Sequence, residues 1–531
     1  MRRWNGWGEE GDEYALSDDA RAFLAARIGP GRAPHDASLQ QVVERVGASR
    51  LPSSGHGFET DAKIRVLHAR GQSFPDWIAL RCGRIGPCAD GVALPSSHDE
   101  AAQALASARK LGAIVVPYGG GTSVVGHLNV PASDRPVVNI SLARMNRLMV
   151  VDDKAWLGTF GAGTPGPQVE AQLRAHGFML GHFPQSYPYS TLGGWVVTRS
   201  SGQQSLRYGR IEQMFASGRL ATPRGQWSVG GVPASSAGPD LREVVLGSEG
   251  RLGLLTEVSV RLRRLPEEES FHGVFFPNWA SAIDAVRAMV QADLPLSMLR
   301  LSNEVETETQ LRLAGHPQLI LWLQRYLGMR GIDEGKCMLM LGVTGTLAEC
   351  RRTRRDALAI AKRHRGVHVG KGMGKAWVRN RFRGPLLRNA LWALGYGADT
   401  VETCVNWPKA TALMRAIEQA AHDALAGDDE RIHAFTHLSH VYRQGCSIYS
   451  TFVFRSAGDA DADLERWRKL KTRVSEVIVA HGGTISHQHG VGVDHAAYLP
   501  AEKGALGMDL LRAVAREVDP DGMMNPGKLF T

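Results

Sequence analysis

The chain has 531 residues, is 43% hydrophobic and 22% charged, and carries a formal net charge of +9 at neutral pH. That is the composition of a soluble globular protein with room for three or four domain-sized units. The mild positive balance suits an anionic ligand or a membrane surface. No aromatic-interleaved basic stripe argues for nucleic acid, so no nucleic-acid partner is expected.

The six cysteines, at 82, 88, 337, 350, 404 and 446, form no Cys-x-x-Cys pair, which argues against zinc and dithiol chemistry. Sparse, unpaired cysteines suit a reducing compartment. The first residues lack the apolar core of a secretory signal, and no run approaches the ~18 apolar residues of a membrane span. The expected location is cytoplasmic, with a peripheral membrane contact as a further expectation. Residues 1–88 read as an irregular lead-in with helical pieces. Trp4 and Trp7 carry too much apolar area to fray, so this end is expected to dock on the body.

From residue 89 the pattern alternates. Gly91 to Pro95 reads as a strand, and Ser97-His98-Asp99-Glu100 is a capping box opening a helix that stops at Gly112. Ala113 to Val116 is a buried strand, and it delivers Pro117-Tyr118-Gly119-Gly120-Gly121-Thr122-Ser123. Glycines free the backbone for close approach, and the N–H groups of such a turn make an anion nest with hydroxyl donors beside it. The stretch reads as a pyrophosphate cradle for a dinucleotide, with an ordinary glycine turn as the competing reading. No helix follows it, so it is not a Rossmann fingerprint. Two more glycine- and hydroxyl-rich stretches follow at 181–209 and 247–256. Three such loops, each beside a strand pattern, argue for one large cofactor.

These motifs resemble the FAD-binding domain of the vanillyl-alcohol oxidase superfamily, and within it the alkyldihydroxyacetonephosphate synthase branch. The likeness rests on Gly119 to Ser123, Ser190-Thr191-Leu192-Gly193-Gly194 and Gly247 to Gly253. It also rests on the opening Trp4-Asn5-Gly6-Trp7-Gly8, Glu402-Thr403 before Trp407, Ile448-Tyr449, Ser486-His487-Gln488-His489-Gly490 and the closing Asn525-Pro526-Gly527-Lys528. It implies an α+β protein: a two-subdomain FAD-binding domain over 89–266, an α+β substrate cap over 267–470, and a C-terminal segment, 471–531, that completes the FAD site. The cofactor-binding residues it implies are Pro117, Tyr118, Gly119, Gly120, Gly121, Thr122 and Ser123 for the pyrophosphate. Gln185, Ser186, Ser190, Thr191, Gly194, Thr198, Ser200 and Ser201 would line the flavin. Glu249, Gly250, Gly253, Leu254 and Leu255 would contact flavin and adenine. The first loop has no histidine to tether the flavin, so FAD is expected to be noncovalent.

The same resemblance makes Tyr449 the catalytic acid/base, with His487 and His489 beside it, and gives the substrate phosphate to Arg388 and Arg300. Guanidinium forks suit phosphate. A free phenol titrates near ~10, so a base role needs cations or histidines nearby, and His487 and His489 are the expected suppliers. On its own, Arg300 in a strand-like segment reads as edge-exposed or ion-paired. The basic run from Lys371 to Arg388 lacks phosphate-loop spacing and otherwise reads as a surface facing solvent or membrane phosphates. His437 and His440 stand three apart with no carboxylate or third histidine adjacent in sequence, so no metal is expected.

The implied reaction replaces the acyl group of acyl-dihydroxyacetone phosphate by a long-chain alcohol, through an adduct at flavin N5, in ether-lipid synthesis. Partners would be a small-molecule or lipid-phosphate substrate and, as an expectation of assembly, a second copy in a homodimer. One departure stands out: the branch's triple histidine reads His487-Gln488-His489, and glutamine cannot titrate. The alternative is a FAD-linked oxidase or dehydrogenase of a hydroxylated anionic substrate such as a 2-hydroxy acid. That branch carries a Gly-Asp-Gly-Asn segment that is missing between His437 and Tyr442.

Overall fold

The computed structural model describes residues 2–55, 57–428 and 430–530. Two α+β layers face each other across a deep cleft. The first begins as a parallel three-stranded sheet in the order Gly91–Ala93, Val137–Ser141, Ile114–Tyr118. Helix His98–Lys110 connects its first two strands in sequence and buries one face, His98, Ala101, Leu105 and Ala108, at helical spacing. Ser97 accepts from the Glu100 N–H, but the Glu100 carboxylate turns back to Ser96 rather than closing the expected box. An antiparallel five-stranded sheet follows, Leu148–Asp152, Leu157–Gly161, Leu254–Arg261, Phe215–Thr222, Gly225–Gly230. One apolar cluster, containing Val138, Ile140, Phe160, Leu192 and Val258, joins the two sheets.

The cap is built on a largely antiparallel sheet. Among the described residues its order is Val367–His368, Glu268–Phe276, Cys337–Gly345, Leu296–Ser302, Ile432–Leu438, Gly445–Arg455, Tyr396–Asn406. Side chains alternate faces along a strand. Leu299, Leu301, Leu339, Leu341 and Ile448 therefore pack beneath helices Trp279–Gln291, Leu347–Arg363 and Trp407–Ala426 in the largest core cluster. Met298, Arg300, Met340, His437 and Tyr449 take the other face, toward the cleft. Arg300 thus lies on an interior strand, not an edge.

The lead-in forms four helices, Asp18–Ile28, Leu39–Glu44, Ala62–Leu67 and Phe74–Arg81. Trp7 is buried in the cap core, and Asn389 accepts from its N–H and donates to its carbonyl. The expected break at 470 falls inside helix Ala460–Ala480, which packs against Trp407–Ala426 and belongs with the cap. Asp459 caps this helix by accepting from the Asp461 and Ala462 N–H groups. The chain end returns to the first layer. The Val115 N–H donates to the Met523 carbonyl and the Asn525 N–H to the Val115 carbonyl, both at 2.8 Å. All six cysteines are free thiols. No described helix is long and apolar enough to cross a membrane.

Candidate active site

A cavity of about 1010 Å³ fills the cleft. Its floor is the glycine turn at the end of strand Ile114–Tyr118. A side chain at Gly120 would place Cβ 2.1 Å from the Tyr189 carbonyl oxygen, so the backbone runs bare against the neighbouring loop. Gly121 sits at φ +66°, where a side chain would be strained and would strike the Tyr118 hydroxyl. The 181–209 and 247–256 loops close the sides. Every residue expected to hold the cofactor, from Pro117 to Ser123, in the 185–201 stretch and from Glu249 to Leu255, borders this one cavity.

The lining fits a dinucleotide flavin. Ser201 Oγ, Gln203 Oε1 and Asn525 Oδ1 are buried, border the cavity and have no partner within the protein. Buried polar atoms are costly unless satisfied, so these are places where a polar ligand belongs. Helix Leu192–Thr198 starts in this wall with Thr191 capping the Gly194 N–H.

Glu249 does more than border the cofactor. It adopts φ 52° and turns its buried carboxylate to accept from the Val491 and Gly492 N–H groups, at 2.5 and 2.8 Å. His127 bridges from Glu249 Oε2, 3.0 Å away, to Ser123 Oγ, 2.7 Å away. The cradle and the histidine turn are thereby linked through Ser123, His127 and Glu249. His127, four residues past the cradle, has no motif to mark it in the sequence.

The cap contributes the ionisable groups. Register pairs His437 with Tyr449 and Tyr449 with Glu402, so these three side chains form a row across adjacent strands. The His437 ring stacks on Tyr449 at 4.8 Å, and His489 meets Tyr449 edge-on at 5.8 Å. Beside them Arg300 pairs with Glu306 at 2.6 Å, and His437 Nδ1 is 3.0 Å from Glu306 and 3.1 Å from Arg300. Burial alone would raise the Glu306 carboxyl, but Arg300 and His437 pull it down to about 2. Glu306 lies on helix Glu304–Leu313, and nothing local in the sequence singles it out.

Burial raises the Tyr449 phenol to about 12; a hydrogen bond from Thr400 lowers it and the Glu402 charge raises it further. The histidines do not supply the positive charge expected of them. Burial lowers His489 and takes His487 down to about 4, leaving both rings neutral. Moreover, His487 does not border the cavity. It sits behind the wall, with Nδ1 3.1 Å from Glu402 and Nε2 2.7 Å from the Tyr442 hydroxyl. His489 and Gln488 are the members of the turn that reach the cavity.

Arg388 borders the cavity from helix Gly384–Ala393. Its Nη1 donates to the Gln72 carbonyl at 2.5 Å, and its plane lies over Trp77 at 4.6 Å. Its Nε and Nη2 are buried with no partner, and burial lowers the guanidinium to about 10. A cation with two idle N–H groups is built to receive an anion. Of the other basic residues, Arg381 and Arg383 also border the cavity, and Lys371 pairs with Glu268 at 3.4 Å. His440, noted in the sequence for its spacing from His437, borders the cavity too. It joins a second carboxylate and a third histidine, Glu402 and His487, which are 38 and 47 positions away.

Residues 89–230 match the family model described as "FAD binding domain", and 265–529 match "FAD linked oxidases, C-terminal domain". The alkyldihydroxyacetonephosphate synthase of Trypanosoma brucei brucei is 33% identical over 99% of this chain and 92% of its own length. A solved alkyldihydroxyacetonephosphate synthase superposes with TM-score 0.85 at 25% identity, covering 99% of this chain and 98% of that one. The mitochondrial D-lactate dehydrogenase (cytochrome) of Arabidopsis thaliana is 25% identical over 83% of this chain and 73% of its own length. The similarity thus runs along the whole chain, and the protein belongs to the alkyldihydroxyacetonephosphate synthase family of FAD-dependent enzymes.

Proposed function

We propose that this enzyme exchanges the acyl group of an acyl-dihydroxyacetone phosphate for a long-chain alcohol, forming an ether. The observation that carries this reading is the presence, in one cavity, of Arg388's two unpartnered nitrogens and a set of apolar side chains. Leu311, Leu313, Leu319, Ile320, Leu323 and Leu387 are among its lining. An anion receptor in a cavity with an apolar lining suits a phosphate with a long tail.

The cradle would hold FAD without a covalent tether, since the loop from Pro117 to Ser123 has no histidine. When bound, FAD supplies a ring able to take and return electron density at the reacting carbon. The protein's part is to place and to move protons. Arg388 orients the phosphate. Tyr449 rests protonated, so its phenol oxygen first donates a proton and acts as a base only after passing it on. His489, neutral and in edge contact, is placed to receive it.

Helix Pro317–Met329 supports contact with a lipid surface. Leu319, Ile320 and Leu323 reach into the cavity, while Trp322 and Met329 stand 66% and 79% exposed. Arg325 and Arg330 stack over Trp322 and Tyr326 of the same stretch. Exposed tryptophan and methionine with arginines beside them form the pattern of an interfacial helix.

The test is an assay with acyl-dihydroxyacetone phosphate and isotope-labelled fatty alcohol, run beside anaerobic exposure of the flavoprotein to 2-hydroxy acids. Labelled ether product is expected, with no flavin bleaching. Bleaching by a hydroxy acid without ether would replace this reading with the oxidase one.

A further inference from the structure

The Glu402 carboxylate is the hub of a buried network that the proposed reaction does not by itself explain. It is 1% exposed and lies on strand Tyr396–Asn406, beside Tyr449 in register. One oxygen, Oε1, meets Ser439 Oγ at 2.5 Å, His487 Nδ1 at 3.1 Å and His440 Nδ1 at 3.3 Å. The other, Oε2, accepts from the Gln488 side-chain amide and lies 4.0 Å from His489 Nε2. The His487 N–H also donates to the Glu402 carbonyl at 3.0 Å. The histidine turn is therefore fastened to the Tyr449 sheet at three points, all on one residue.

Counting protons around this hub assigns them. His487 has a phenol at Nε2 and a carboxylate at Nδ1. One proton on Nδ1 satisfies both contacts, because Nε2 then accepts from Tyr442. His440 is different. Its Nε2 faces the Gly202 carbonyl at 3.1 Å, which only accepts, so Nε2 must carry a proton. Its Nδ1 faces Glu402 and the Ser439 oxygen at 3.0 Å. Ser439 has a single proton, and its shortest contact commits that proton to Glu402. Nδ1 is left with acceptors alone, and a bare nitrogen there would set lone pair against carboxylate. The charged groups around this pair are few: Arg210 donates to the His487 carbonyl at 2.8 Å, and His182 stands behind Gly202, 3.2 Å from Ser200.

We infer that Glu402 is a positioning residue that keeps His440 doubly protonated, as an imidazolium in the cavity wall, while fixing His489 against Tyr449. A buried carboxylate is tolerated when paired and fully hydrogen-bonded, and the imidazolium is the pairing cation. His440 thereby presents a fixed positive charge between the Ser200–Gly202 loop and the Tyr449 strand, where it favours negative charge developing at that end of the cavity. Gln488 is suited to its place because an amide donates to Glu402 without competing for its proton. The catalytic consequence rests on the ether-forming reading; the protonation state does not.

The decisive measurement is ¹⁵N NMR of the FAD-loaded, histidine-labelled protein between pH 6 and 8, with His440 assigned by its loss in His440→Gln. Two protonated ring nitrogens on His440 are expected throughout, and Glu402→Gln should convert it to the neutral ring. The same variant should keep its flavin spectrum, lose about 100-fold in kcat for ether formation and leave KM within about 3-fold. A single protonated nitrogen on wild-type His440 overturns the inference, and so does a stoichiometric divalent ion that chelation removes. A Glu402→Gln enzyme with unchanged kcat and pH profile overturns the positioning role. If that variant does not fold, the wild-type spectrum still decides. If no ether forms with any enzyme, the proposed reaction fails while the His440 spectrum remains readable.

Discussion

The cofactor floor and the cap wall of the same cavity are built on opposite principles. The floor is glycine, hydroxyl and backbone N–H, with its shape set by where Cβ atoms are missing. The wall is a row of ionisable side chains, Arg300, His437, Tyr449 and Glu402, each held by a partner from another part of the chain. A floor of this kind discriminates by fit and can be broken only by filling it. A wall of this kind discriminates by charge and can be retuned one proton at a time. Glu249, with one foot in each, keeps the two in register.

Perturbing each region separately tests this division. The largest expected effect is on the wall. Tyr449→Phe should lower kcat about 10²- to 10⁴-fold with the flavin spectrum unchanged, measured by single-turnover ether formation. Loss of flavin with the activity would show that wall and floor are not separable. Next, Gly120→Val puts carbon atoms where the Tyr189 carbonyl stands; it should weaken FAD binding by about 100-fold, read by flavin release on dilution. Retention of FAD at wild-type affinity would remove the bare turn from the cofactor site. Arg388→Met should raise KM for the phosphate-bearing substrate about 10- to 100-fold and leave the affinity for the alcohol unchanged, by steady-state kinetics.

The smallest effect is in stability. Glu306 is depressed from 4.5 to about 2 in the folded protein. Its contribution is therefore complete above the unfolded value near 4.5 and is lost as pH falls toward 2. Thermal melts should show a steeper loss of Tm between pH 5 and 3 for the wild type than for Glu306→Gln. Equal slopes would mean that the Arg300–Glu306–His437 cluster is not coupled to folding.

Much of the floor was legible because it is local. A strand, a glycine turn and two further hydroxyl-rich loops are contiguous stretches, and their backbone needs are visible in residue type. The wall was legible only where a motif happened to contain it, as for Tyr449 and His489. Glu306 carried no local signal and His440 only its spacing from His437, because their roles come from Arg300, on the strand before the Glu306 helix, and from Glu402, 38 positions from His440. His487 shows the converse. Its motif marked it, yet the turn does not keep the alternation of a strand: His487 goes behind the wall to Tyr442 while Gln488 and His489 both reach the cavity. The break expected at residue 470 failed because no local signal marks one there, and the residues around it continue a single helix of the cap.

The sequence by itself determined a cradle for one large dinucleotide cofactor and the residue types able to receive an anion and handle protons. These follow from contiguous pattern and chemistry; FAD and the α+β plan came from the resemblance of its motifs to a known family. Only the tertiary structure decided which of those residues face one another, and hence their charge. Burial pushes Tyr449 up, Arg300 and His437 pull Glu306 down against burial, and a pKa is a property of that assembled environment rather than of any stretch of sequence.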